Sequence, residues 1–222
     1  MAEEATLPSV VAQVVLSAVP ILAAIVFHEV AHGAVAYLLG DPTAARYGRL
    51  TLNPLPHIDP VGTVLLPGFL LVTSFLMGTQ PFVFGWAKPV PVDYRQLRHP
   101  RRDAVLVAVA GPLTNLLLAT VSAAVLAMIP PDVERGSLAD GLALMARTSV
   151  VINCVLAVFN LMPIPPLDGG HVLTALLPAP AVQVLRRVER IGFLIVILIA
   201  LNTDVVSRLV RPLLVLFLGL GR

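Results

Sequence analysis

Charge is scarce in this chain. Only 13% of its 222 residues are Asp, Glu, Lys or Arg and 5% are aromatic, while 57% are hydrophobic. With a mean hydropathy of +0.90, an ordinary soluble domain is excluded and an integral membrane protein is indicated. The pI of 9.1 comes from arginines scattered between apolar runs, as cytoplasmic anchoring loops carry them, so nucleic acid is set aside and the lipid bilayer is the expected partner. The single cysteine, Cys154, lies in "VINCVLAVF". An intramolecular disulfide is thereby excluded, the compartment is not revealed, and a small packing role is expected. The start "MAEEATLPSV" carries acidic residues where a secretory signal carries basic ones, so no cleaved signal is expected. Internal repeats and low-complexity tracts are missing. The length leaves room for one membrane domain over 1–222 and little for a separate soluble one.

What is present is a series of apolar runs. Residues 10–39 read as a helix stopped by Gly40-Asp41-Pro42, residues 104–129 as a span closed by Pro130-Pro131, and residues 142–162 as a span ending in "MPIPPLDGG". Residues 191–220 are interrupted by "NTD" at 202–204 and by Arg208 and Arg211, which suits a broken helix or a hairpin. Residues 61–84 are long enough to span but carry Pro67-Gly68 and Pro81, so they cross or re-enter. The expected fold is an all-α polytopic membrane protein of about four to six transmembrane segments. Lys88, Arg95, Arg98, Arg101 and Arg102 place the loop before 104–129 in the cytoplasm, and Asp132, Glu134 and Asp140 place the next one outside. The third span then returns inward, toward Arg186, Arg187 and Arg190. Two stretches read as short membrane-associated β-strands: 44–54, by alternation, and 84–94, whose prolines suit only an edge.

One polar cluster interrupts the first run. His28-Glu29-Val30-Ala31-His32 fits H-E-x-x-H, and on a helix the i, i+4 spacing puts both imidazoles on one face, one turn apart. That suits two zinc ligands, with Glu29 as a candidate general base for the water that attacks a peptide carbonyl. Ionisable groups are costly inside an apolar span and are by default functional or paired, which outweighs a chance match. A catalytic zinc usually takes three protein ligands. His99 lies in the basic loop "RQLRHPRRD" and is set aside. Asp168 follows a proline-rich break, with Gly169-Gly170 allowing close backbone approach, and by spacing alone it stands even with His171.

"HEVAH" within a span, "AGPLTNLLLA" at 110–119 and "NLMPIPPLDGGHVL" at 160–173, in that order, resemble the site-2 protease family of intramembrane zinc metalloproteases. The resemblance covers most of the chain from the first span to the third. It implies His28, His32 and Asp168 as ligands of one zinc ion and Glu29 as the group that activates water. It also puts Asn115 and Asn160 at positions associated with substrate or transition-state stabilisation, a role an amide N–H can fill; an interhelical hydrogen bond is the plainer alternative for each. His57 and Asp59 follow the catalytic helix and are expected to order a loop, and His171 could support a ligand by a hydrogen bond. Larger members carry an appended regulatory domain, for which this chain has no length.

The expected activity is endoproteolysis of a membrane-spanning or membrane-anchored protein substrate by a multi-pass cell-membrane enzyme whose hydrated site opens toward the cytoplasm. The rival is a non-catalytic membrane-protein-binding homologue or a metal transporter. Degeneracy would normally remove Glu29, a histidine or Asp168, and transport would call for further ligands in several spans. The substrate, a homo-oligomer and a gating partner are not legible.

Overall fold

A computed structural model describes residues 7–78, 85–201 and 203–220. Among these residues eight α-helices follow one another: α1 Leu7–Leu38, α2 Thr43–Arg46, α3 Leu66–Leu76, α4 Pro100–Ala127, α5 Leu138–Asn160, α6 Asp168–Leu176, α7 Ala179–Leu201 and α8 Thr203–Leu220. A 3-10 turn at Leu55–His57 and a π-helical turn at Pro60–Leu65 precede α3. The acidic start and the end of the 61–84 segment lie outside the described residues, as do Asn202 and the side chains of Arg186, Arg187 and Arg190.

Among the described residues, three helices are long and apolar enough to cross a membrane: Val15–Leu38 within α1, α4 and α5. The 24 residues of the first reach roughly 36 Å at 1.5 Å per residue, more than a hydrocarbon core of about 30 Å. The apolar helix Pro60–Ser74 is shorter. The 191–220 region divides into the end of α7 and the whole of α8.

α1 stops where its sequence says it should. Gly40 takes φ +112°, the Asp41 N–H donates to the Ala36 carbonyl at 2.9 Å and the Gly40 N–H to the Tyr37 carbonyl at 3.1 Å. This pair of bonds satisfies carbonyls that the helix end would otherwise leave open, and only glycine adopts that backbone without strain. α4 buries a stripe of Ala104, Val107, Ala108, Gly111, Asn115, Ala119 and Ala123 at three- and four-residue steps. α5 answers with Ala143, Ala146, Val150, Asn153, Cys154 and Ala157. Between lipid-facing helices the hydrophobic effect contributes little, and small residues let α1, α4 and α5 approach closely enough for dispersion and hydrogen bonds to hold them. Val210 and Phe217 of α8 pack on Ala119, Ala123, Val150 and Cys154, which puts Cys154 in the core.

The strands expected at 44–54 and 84–94 do not form among the described residues, and the physical reason is the lack of a pairing edge. Thr43–Arg46 is helical, and 85–93 runs without a ladder. Its backbone is bonded to separate partners: the Trp86 N–H to the Gly62 carbonyl at 3.1 Å, and the Lys88 N–H to the His57 carbonyl at 2.9 Å. The Arg49 guanidinium donates to the Lys88 carbonyl at 2.6 Å. Pro89 and Pro91 offer no N–H at all.

Candidate metal centre

α1 presents His28 and His32 one turn apart, 6% and 8% exposed. Their Nε2 atoms lie 3.0 Å from each other, and the rings meet edge to face with centroids 4.6 Å apart. α6 begins at Asp168, whose carboxylate is delivered against them: Oδ2 lies 3.2 Å from His28 Nε2 and Oδ1 3.3 Å from His32 Nε2. One ligand atom from each of the three residues falls within 4.8 Å of the others. The turn that delivers Asp168 depends on Gly169 and Gly170, since a Cβ at Gly169 would collide with the Leu161 and Met162 carbonyls.

The ring nitrogens turned away from this cluster determine what the others can do. His32 Nδ1–H donates to the Val107 carbonyl at 2.7 Å, a group that can only accept. His28 Nδ1–H donates to Asn115 Oδ1 at 2.6 Å. A neutral imidazole with its proton on Nδ1 carries a lone pair on Nε2. Two such lone pairs then converge on a carboxylate at about 3 Å with no proton between them, an arrangement that a cation stabilises. Asp168 Oδ2 is buried without a hydrogen-bond partner, which fits a ligand atom. Two imidazoles and a carboxylate are a donor set that zinc accepts.

Gly111 of α4 lies against the same two rings. A Cβ there would strike His32 Nε2 and lie 2.6 Å from His28 Cε1, so the helix backbone itself covers the imidazole edges.

Glu29 is half-buried, and its Oε2 accepts the Val90 N–H of the 85–93 segment at 2.7 Å. Asn115 is fully buried. Besides accepting from His28, its Nδ2 donates to the Ala24 carbonyl at 3.2 Å and to Asn153 Oδ1 at 2.8 Å. Both of its N–H bonds are therefore engaged. Asn160 ends α5 and donates to the Leu156 carbonyl at 3.0 Å.

His57, Asp59, His99 and His171 are not among the residues whose ligand atoms converge at the cluster. His171 stacks on Tyr94, with ring centroids 5.8 Å apart. Burial, with the Asp168 charge adding, pushes the Tyr94 phenol up to about 12. His57 turns its Nε2–H to the Thr51 carbonyl at 3.0 Å, and Asp59 caps the turn after it by accepting the Val61 and Gly62 N–H groups. His99 is exposed at the start of α4. Gly111 stands inside the quoted motif at 110–119 without a role being read for it, Asn153 is marked only by being polar inside an apolar span, and the Val107 carbonyl escapes a reading of the sequence.

Comparison with known proteins follows the same line. The profile of peptidase family M50 matches residues 133–202. YwhC of Bacillus subtilis (strain 168) is 37% identical over 198 residues, covering 88% of this chain and 84% of the relative. Rip2 of Mycolicibacterium smegmatis is 29% identical over 182 residues, 82% of this chain and 64% of the relative. MJ0611 of Methanocaldococcus jannaschii is 28% identical over 161 residues, 72% of this chain and 69% of the relative. All three are named provisionally as zinc metalloproteases. No solved structure matches. The chain belongs to peptidase family M50, the site-2 protease family.

Proposed function

We propose that this chain is an intramembrane zinc endopeptidase that hydrolyses peptide bonds of membrane-spanning or membrane-anchored proteins, with His28, His32 and Asp168 as the zinc ligands and Glu29 as the general base. The single observation that carries this is the convergence of the two Nε2 atoms and the Asp168 carboxylate. A zinc ion held there supplies the Lewis acidity that activates water and polarises the scissile carbonyl. Glu29 takes a proton from the attacking water and passes it to the departing amine, which needs a carboxylate that is ionised and positioned beforehand. The Val90 N–H holds it in place. Asn160, with its second N–H, is the proposed donor to the carbonyl oxygen as charge develops there. Asn115 is proposed to serve through His28, because its own donors are engaged.

Helix geometry supports a site reached from one face. His28 lies ten residues and His32 six residues before Leu38, so the pair sits roughly 9–15 Å along α1 from that end. α4 reaches this cluster through the Val107 carbonyl, and α6, which follows the end of α5, brings Asp168 to it. The basic loop before α4 supports a cytoplasmic side for that face. A fourth crossing is assigned to the α7–α8 region. A substrate helix hides its carbonyls in its own hydrogen bonds and must unwind before attack. The 85–93 segment, irregular and bonded to Glu29, is proposed to become a strand when the unwound substrate pairs with it.

Glu29→Gln tests the assignment. It is expected to abolish cleavage of a membrane-anchored substrate while one zinc per chain stays bound; cleavage by the zinc-loaded variant would refute the role of Glu29.

A further inference from the structure

His32 and His28 solve the same problem differently. The Nδ1 of each must keep its proton if Nε2 is to offer a lone pair to a metal. For His32 the acceptor is the Val107 backbone carbonyl, which has no alternative orientation. For His28 it is the side-chain amide of Asn115, and an amide can turn over. Turned by 180°, Asn115 would present N–H groups to His28 Nδ1, moving the imidazole proton to Nε2 and closing the ligand position.

Two acceptors oppose that reversal. The Ala24 carbonyl lies at 3.2 Å and Asn153 Oδ1, the closer partner, at 2.8 Å from Asn115 Nδ2. Asn153 is itself an amide, 1% exposed, but its own orientation is tied to a group that cannot turn. Its Nδ2 donates to the Ser149 backbone carbonyl at 2.8 Å and to Ser149 Oγ at 3.2 Å. Ser122 of α4 donates in turn to Ser149 Oγ at 2.7 Å. The chain of bonds therefore runs from a helix carbonyl of α5 through Asn153 and Asn115 to His28, each link reversing donor and acceptor in the sense the next requires. With water excluded, a reversed link would leave buried groups unsatisfied, so orientation propagates along the chain.

We propose that Asn153 is a positioning residue of the metal centre: through the orientation of Asn115 it selects the His28 tautomer that presents Nε2 to zinc. This rests on the zinc reading above. A merely structural role, gluing α4 to α5, would leave metal affinity untouched once the helices are packed.

Zinc affinity of the full chain in detergent, measured by chelator competition, separates the two. Asn153→Leu and Asn115→Leu are each expected to raise the zinc Kd by roughly 10–100-fold, while unfolding of the metal-free proteins shows that they remain folded. The double variant Asn115→Leu/Asn153→Leu should bind no more weakly than Asn115→Leu alone, because Asn153 acts through Asn115. Asn153→Asp should restore most of the affinity, since a carboxyl kept neutral by the apolar interior donates to the Ser149 carbonyl and accepts from Asn115. Unchanged affinity in Asn153→Leu, additive losses in the double variant, or equal losses in the Asp and Leu variants would overturn the proposal. If Asn153→Leu does not fold, Asn153→Ala replaces it, and equal affinity in the Ala and Asp variants overturns it. Failure of the unmutated chain to bind zinc would instead overturn the metal reading.

Discussion

His28 and His32 are buried by the protein itself, so the proton on each inward-turned ring nitrogen is placed by a protein group. Val107 and Asn115 do this on one side, and Asp168 faces the exposed lone pairs on the other. Gly111 matters for a steric reason. Forcing a methyl group into a packed interior costs about 1–3 kcal/mol, and the atoms that would have to yield here are the imidazole edges themselves. Gly111→Ala is expected to lower zinc affinity about tenfold or more with little loss of helix, read by metal titration beside circular dichroism. Full zinc binding in that variant would mean that the rings lie farther from α4. The shared face of His28 and His32 was legible because their relation is local to one helix turn. Asp168 stood even with His171 by spacing and was preferred only by resemblance, since its meeting with α1 depends on how α6 is delivered after α5. Gly111 stood inside the quoted motif at 110–119, but its steric role was not legible, because its Cβ space is bounded by residues of another helix.

Among the elements, the apolar runs announced their helices, and Gly40 announced where α1 stops. The strand readings failed because extended character is local whereas a ladder needs a neighbour. The 85–93 segment instead binds loop carbonyls, the Arg49 guanidinium and the Glu29 carboxylate. Asparagines were similarly ambiguous: a polar side chain in a span signals a partner without saying which one. If 85–93 receives the unwound substrate, then cysteines at the exposed positions Lys88 and Pro89 should crosslink efficiently to a cysteine near the substrate's scissile bond. Crosslinks confined to α4 and α5 would rule out strand addition and leave the metal assignment standing.

Across the whole molecule, α1, α4 and α5 form the packed unit, and the cluster sits where their shared face meets the loop that leads into α6. Residues 136 positions apart, His32 and Asp168, become neighbours only through that packing, so metal binding reports the tertiary structure as well as the chemistry. Zinc K-edge X-ray absorption on the purified chain and on Asp168→Ala and His171→Ala addresses this directly. The expected result is one zinc per chain bound by two imidazole nitrogens and a carboxylate oxygen, with the metal largely lost in Asp168→Ala and retained in His171→Ala. A coordination shell without two imidazoles, or an Asp168→Ala protein that keeps its zinc while His171→Ala loses it, would contradict the site.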